Sequence, residues 1–558
     1  MHIILDLRIE DDALMNLCLI EIEKLLHCNG RSLKEFPCMS YPRFSETLQF
    51  ENKFVVDELN YSKQEMRDTH EALLKSLTAE QSKVYKQIMS SVLSDDGGFY
   101  FLYGFGGSGK TFVWNTLSSG LRSQGLIVLN VASSGIASLL LPGGRTAHSR
   151  LSIPISINDI STCNIKQGSQ KAELLQKASL IIWDEAPMLN KHCFEALDRT
   201  LNDLMKTRLN FGYDKPFGGK VVVLGGDFRQ ILPVVPKGSR ADIIESSINS
   251  SCLWNSCKVL KLTKNMRLQN SATSSTNEET REFAEWILQV GDGTVNTIDD
   301  AQTMIKIPLD LLIEKSDDPI LSLVNFAYPK MIDNMKNHSF FEERAILAPT
   351  LESVEHVNNF MSSMVPGDEK EYLSFDTTCK SDEDTEIKGD WFTSEFLNEV
   401  KCSGIPNHKL NLKVGIPIML LRNIDQSIGL CNGTRLIVTD LTKNVISASI
   451  LTGKKMGEKV FIPRMNLIPS DPGLPFKFSR RQFPVTLCFS MTINKSQGQP
   501  LSHVGLYLPR PVFTHGQLYV ALSRVKSRKG LKLLILDDEG NLSNATKNVV
   551  YQEVFDNI

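Results

Sequence analysis

Two groups of residues have the types and spacing to work on a phosphoanhydride. The first is Gly104-x-x-x-x-Gly109-Lys110-Thr111, inside "FYFLYGFGGSGKTFVW" (99–114). Glycines at 104, 106, 107 and 109 let the loop of Gly104, Phe105, Gly106, Gly107, Ser108 and Gly109 curl until its N–H groups converge on phosphate oxygens. Lys110 then reaches the β and γ phosphates, and the Thr111 hydroxyl can ligate magnesium. The second group is the acid pair Asp184-Glu185 in "SLIIWDEAPM", followed by Gln230 in "VVVLGGDFRQILPV" (221–234). ATP hydrolysis needs a carboxylate for the ion and another to orient the attacking water; Asp184 and Glu185 suit those tasks. A glutamine can bond the γ-phosphate while staying neutral, which fits Gln230 to report whether ATP is intact. Alone, two acids closing a strand are more often a solvated strand end, and a lone glutamine is a weak signal. Downstream of a complete phosphate loop, the functional reading takes precedence.

These groups need a scaffold that brings distant loops to one edge. Between 77 and about 265, apolar strand-like runs ("FYFLY", "LIVLNVA", "SLIIWDE", "KVVVLGGD", "CKVLKL") alternate with helical segments, the pattern of a parallel α/β sheet. Asp184 and Asp227 close two of these runs, at the carboxyl edge where such sheets bind ligands. Phe99–Tyr103 suits a buried strand and 111–121 a helix, whose N-terminus adds partial positive charge at the phosphates. Within 414–468, "VGIPIMLL", "GTRLIVTDL", "VISASIL" and "KVFIPRMNLI" are short strands parted by Asn432-Gly433 and Thr452-Gly453, which predicts a small β-barrel. The acidic "TTCKSDEDTE" (377–386) reads as a solvated loop.

At 558 residues the chain is expected to hold about three or four domains. With 42% hydrophobic and 22% charged residues it has the composition of a soluble globular protein, and a net charge of -3 leaves no global field for nucleic acid. A polyanion track must then be local, at Arg480-Arg481 or along "RVKSRKGLK" (524–532), although such runs are more often solvated faces. The 11 cysteines include no C-x-x-C pair, which points to reduced thiols in cytosol or nucleus and away from zinc. No apolar run is long enough for a membrane span, and the acidic start is unlike a signal peptide, so an intracellular protein is expected.

Taken in order, "LTAEQ" (77–81), "GFGGSGKT", "ASSGIASLLLPGGRTAHS", "LIIWDEAPM", "PFGGKVVVLGGDFRQILPV", "LTKNMR", "FSMTINKSQGQPLSHVGLYL" and "HGQLYVALSRV" resemble superfamily-one DNA helicases of the RecD and Pif (petite integration frequency) type. The resemblance covers roughly 77–540, and the chain looks especially like the helicase portion of plant Helitron transposon proteins. It implies two RecA-like P-loop lobes with a small SH3-like β-barrel insertion in the second. The segments are 1–75, a helical extension or remnant of a lost upstream domain; 76–265, lobe one; 266–413, the first part of lobe two; 414–480, the insertion; and 481–558, the rest of lobe two. Gln81 is implied to read the adenine edge, and Arg267 and Arg524 to reach ATP from the second lobe. Thr146, His148, Thr492, Lys495 and Ser496 fall in motifs that in the family lie near single-stranded DNA; a capping or core role for His148 stands at even odds. The implied cofactors are ATP and Mg2+, and the partners are single-stranded and forked DNA, with a monomer favoured. Translocation 5' to 3', a nuclear location with the mitochondrion as alternative, and work in repair, recombination, telomere maintenance or transposon replication rest on the resemblance alone.

Complete Helitron proteins also carry a nuclease with a His-hydrophobe-His metal site, and none of the ten histidines here has that spacing. Two other readings stay open. One is a domesticated transposon remnant that binds DNA without unwinding it. The other is a P-loop phosphotransferase, which would need neither Arg524 nor an inserted barrel.

Overall fold

The computed structural model describes residues 15–41 in part and, from 52 to 558, all except 207–214, 267–273, 296, 300–301, 336, 380–392, 403, 426–427, 454, 470–475 and 557. Arg267 and most of the acidic 377–386 stretch therefore lie outside the described residues. The chain divides into two units, Met1–Glu58 and Leu59–Ile558. In the first, Ser32 and Glu35 form a capping box around the turn Leu33–Glu35, and buried Glu23 accepts from the Ser32 hydroxyl and the Leu33 N–H, both at 2.6 Å.

The boundary expected at 75 falls too late. Helix Lys63–Lys75 belongs to the second unit, where its part-buried stripe of Met66, His70 and Leu73 marks a helix face turned inward. His70 bonds the Tyr85 hydroxyl at 2.8 Å, and Arg122 lies over the Tyr61 ring at 4.2 Å. This helix packs along helix Lys110–Ser123, the helix that follows the phosphate loop.

Lobe one is a six-stranded parallel sheet. Its strands are β1 (Gly98–Gly104), β2 (Ile127–Ala132), β3 (Arg145–Thr146), β4 (Ala178–Asp184), β5 (Val221–Gly226) and β6 (Lys258–Leu262), in spatial order β3-β2-β4-β5-β1-β6. Every residue of β2 and β5 is buried, as expected of strands covered on both faces. Helices α1 (Ala79–Leu93) and α2 (Lys110–Ser123) contribute to that cover. The glycines ending β5 have a packing cause. A Cβ at Gly225 would stand 2.4 Å from Trp114 Cζ2, and one at Gly226 would stand 2.3 Å from Pro187 Cδ.

In lobe two, strands β7 (Arg344–Ala348), β8 (Ser490–Thr492), β9 (His503–Leu508) and β10 (Leu531–Ile535) form a second parallel sheet in the order β8-β7-β9-β10. Helix α3 (Ser274–Asp292) packs against α4 (Gln517–Ser523). Between β7 and β8 lies antiparallel structure wider than the 414–480 segment expected. Lys370–Leu373 pairs with Lys409–Leu412, Phe375–Thr378 with Phe478–Gln482, and Val485–Leu487 with Pro417–Leu420. Short strands before residue 409 carry little periodicity of their own; their distant partners define them.

Arg480 is not a surface cation. It is fully buried, pairs with Asp376 at 2.7 Å, and donates to the carbonyls of Leu397, Val400 and Pro406. Strand alternation turns Phe478, Arg480 and Gln482 inward and leaves Arg481 exposed, so the charged pair is not one patch. Among the described residues no helix is long and apolar enough to cross a membrane.

Candidate active site

The phosphate loop leaves β1 at Gly104 and enters α2 at Lys110. Gly109 has φ +90°, and a Cβ there would stand 2.3 Å from Gln81 Nε2, so both backbone and space require glycine. Lys110 Nζ donates to the loop's own carbonyls, Gly104 at 2.5 Å and Phe105 at 3.5 Å. Gln81 sits beneath the loop, buried. Its Oε1 accepts from Thr78 N–H at 3.0 Å in a capping box, and its Nε2 reaches the Ser108 carbonyl at 3.5 Å. The carboxamide keeps one further acceptor site and one further N–H beyond these bonds. The 263–266 segment closes over the loop, with Met266 N–H on the Gly107 carbonyl at 3.0 Å. Glu80 anchors that segment by accepting from the Thr263 hydroxyl at 2.6 Å and its N–H at 3.1 Å.

Asp184 and Glu185 lie at the end of β4, close enough to Lys110 to feel its charge. Burial raises the Asp184 carboxyl above the usual carboxylate range. Burial, with Asp184 adding to it, pushes Glu185 up to about 7, while Lys110 and Arg524 pull the other way. Glu185 also holds a left-handed backbone, φ +51°, rare for a side chain of its size. That turn follows directly from ending a strand and starting the 3-10 turn Ala186–Met188 in one residue.

The second lobe reaches the same place. Arg524 follows α4 and is 6% exposed, its guanidinium donating to the carbonyls of Val520 and Ser496 and to the Ser523 hydroxyl. Its charge acts on Glu185 of lobe one. Gln230, also buried, accepts from Gln497 Nε2 of lobe two at 3.2 Å. The phosphate-loop lysine, the two acids and an arginine from the other lobe thus act on one another electrostatically, and Gln230 is held by a glutamine of that same lobe.

Residues 76–301 match the family model described as PIF1-like helicase, and residues 395–441 match that for the DNA helicase Pif1 2B domain. The likeness to PIF1-like helicases thus falls on lobe one and on part of the insertion. "ATP-dependent DNA helicase PIF1" of Xenopus laevis is 26% identical over 470 residues, covering 83% of this chain and 62% of that protein. The Pif1 of Bdellovibrio bacteriovorus is 26% identical over 78% of this chain and 83% of its own length. The structure titled "Crystal structure of Bacteroides Pif1 bound to ssDNA" is 23% identical, with a TM-score of 0.57 over 84% of this chain and 99% of that one, a likeness of fold. The chain spans less than two thirds of the length of the Xenopus laevis and Danio rerio relatives.

The residues expected along a strand divide. Thr146 and His148 are part-buried at the outer edge of lobe one, beside β2, where burial lowers the pKa of the imidazole. Thr492 ends β8 and Lys495 lies in the turn after it, both part-buried, and burial likewise lowers the Lys495 ammonium. Ser496 departs from expectation: it is fully buried, and its hydroxyl donates to the Ile493 carbonyl at 2.7 Å within its own turn. Its carbonyl, not its hydroxyl, has the wider role, as an acceptor for Arg524. Four further residues, Gln497, His515, Tyr519 and Arg229, join the lobes although the sequence gives them no role. All four stand inside the motifs quoted above, and a second glutamine beside Ser496 is the available signal.

Proposed function

We propose that this chain is an ATP-driven DNA helicase that moves on single-stranded DNA and opens duplex. The observation that carries the reading is the hydrogen bond from Gln497 of lobe two to Gln230 of lobe one at 3.2 Å, because a site completed by two lobes can convert nucleotide turnover into relative movement. The printed names of the curated relatives, ATP-dependent DNA helicases, and Bacteroides Pif1 structures bound to ssDNA and to ADP-AlF3 support it.

Magnesium fits the site. Asp184 Oδ1 is a buried oxygen with no well-aligned donor among the described residues, and Thr111 is the second residue of α2, directly after the loop lysine. One carboxylate, one hydroxyl and substrate phosphates are a usual magnesium environment; the ion neutralises charge on the β and γ oxygens. Lys110 exchanges its loop carbonyls for those oxygens, and loop N–H groups hold the phosphate chain in line. Glu185 accepts a proton from the attacking water as the γ-phosphorus bond to the bridging oxygen breaks. Arg524 stabilises the charge that develops as it breaks, and Gln230 senses its loss. Thr146, His148, Thr492 and Lys495 form the proposed strand track, with Arg267 as a second arginine toward ATP. The widened insertion is the SH3-like module.

By resemblance, movement runs 5' to 3', the protein acts as a monomer in the nucleus or mitochondrion, and its affinity lies with the helicase portion of Helitron proteins. Repair, recombination, telomere maintenance and transposon replication are the corresponding roles. The test is ATP hydrolysis with and without single-stranded DNA, then unwinding of forked duplexes with defined tails, with Lys110→Ala as the inactive control. Hydrolysis indifferent to DNA would favour a phosphotransferase; DNA binding without unwinding would favour a remnant.

A further inference from the structure

Four consecutive residues of lobe one are gripped by the second lobe. Tyr519 donates its hydroxyl to Asp227 Oδ2 at 2.6 Å, both residues being buried. His515 bonds the Phe228 carbonyl at 2.7 Å. Tyr551 N–H donates to His515 Nδ1 at 2.8 Å, so Nδ1 is an acceptor and the proton sits on Nε2, aimed at Phe228. Burial lowers that imidazole to about 4, which keeps it neutral. Arg229 forks onto Asp292 of α3 at 2.6 and 3.3 Å and donates to the Tyr103 hydroxyl at 2.8 Å. Gln230 accepts from Gln497. The fit is close: a Cβ on Gly516 would stand 2.2 Å from the Arg229 carbonyl, and one on Gly291 would stand 2.7 Å from Tyr519 Cδ2 and 2.8 Å from Arg229 Cδ.

We infer that Tyr519 and His515 are positioning residues that carry the state of the nucleotide, read at Gln230, to the helix bearing Arg524, and so make hydrolysis answer to the bound strand. The inference rests on the ATPase reading above. Asp227 lies three residues before Gln230, and Tyr519 lies in α4, the seven-residue helix that ends at Arg524. A helix of two turns embedded in a packed core moves as a rod, so displacement of the Asp227–Gln230 loop is delivered to the guanidinium. The Arg524 guanidinium in turn donates to the Ser496 carbonyl in the segment beside the proposed strand track. The grip thus links sensor, arginine and track through hydrogen bonds to one loop.

Tyr519→Phe removes one oxygen and keeps the ring, and Asp227 retains Arg229 as a partner. For this variant, ATP-analogue affinity, oligothymidylate affinity, the KM for ATP and DNA-free hydrolysis are expected within about twofold of wild type, while the DNA-stimulated kcat falls by about tenfold or more. His515→Ala should behave alike. His515→Gln, which can still accept from Tyr551 and donate to Phe228, should recover most of the stimulation. Thermal unfolding checks the folds, and the His515 pair carries the test if Tyr519→Phe is unstable. Stimulation within about twofold of wild type in Tyr519→Phe and His515→Ala overturns the inference, as does equal loss of basal and stimulated rates, the mark of a merely structural support. Wild-type protein whose hydrolysis ignores the strand sinks the DNA-helicase reading, and this inference with it.

Discussion

Gln497 of lobe two donates to the Gln230 carboxamide oxygen of lobe one at 3.2 Å, across 267 positions of sequence. Because the oxygen of Gln230 is engaged by this bond, its amino end is the one left to meet a phosphate oxygen, the donor that an anion requires. Gln230→Glu keeps the shape and the acceptor for Gln497 but sets a carboxylate against the γ-phosphate. Single-turnover hydrolysis should fall by about 10² or more, with weaker ATP-analogue binding. A rate near wild type would show that Gln230 stays clear of the phosphate.

Glu185→Gln should trap ATP, binding forked DNA without opening it, because the water loses its orienting carboxylate. The same variant carries a pH signature. Burial raises Glu185 from 4.5 to about 7 in the folded protein. Between those values the folded state holds a proton that the unfolded state has released, so stability falls as pH rises. In nucleotide- and magnesium-free protein, Glu185→Gln should unfold at a higher temperature than wild type at pH 8. The gap should close as pH approaches 4.5. A gap that is constant with pH removes the buried charge as its cause.

Arg524→Ala tests closure of the second lobe. ATP-analogue affinity should stay within about tenfold, roughly 1.4 kcal/mol, while hydrolysis drops by about 10³ or more, because the guanidinium acts on charge present mainly in the transition state. Lysine should rescue little, since a point charge on a flexible stem does not reproduce the planar fork. Turnover that survives would transfer the role to Arg267.

Asp376→Ala should destabilise the insertion by about 3–5 kcal/mol, because it strands a buried guanidinium among carbonyls. Arg481→Ala, one residue along the same strand and exposed, should change stability by no more than about 0.5 kcal/mol. Urea unfolding of the two variants side by side measures both. Equal effects would contradict the alternation that separates the two arginines.

The lobe-one sheet and its loop were legible because local rules determine them: apolar runs form β1, β2, β4 and β5, and each chemistry-bearing residue sits at a strand end. Arg480 was misread although the signal was present, for "FSRRQ" alternates inward and outward, and charge content was weighed before period. Tyr519 on Asp227 was not legible at all. Each residue looks ordinary alone, and only the folded chain brings them to 2.6 Å. The same holds for the early insertion strands, which pair with segments far along the chain.

The interrupted sheet of lobe two has a consequence for how the protein is made. Ile346 of β7 pairs with Ser490 and with Gly505, so β7 leaves the ribosome long before either neighbour exists. The nucleotide lobe can close its sheet once β6 has emerged, and the insertion can form its own core next. The apolar edge of β7 must wait through that whole interval, a contact pattern that folds slowly and invites aggregation if synthesis stalls. Since Arg524 lies far downstream of Lys110, a nascent chain acquires its phosphate loop long before the arginine of the second lobe can fold beside it.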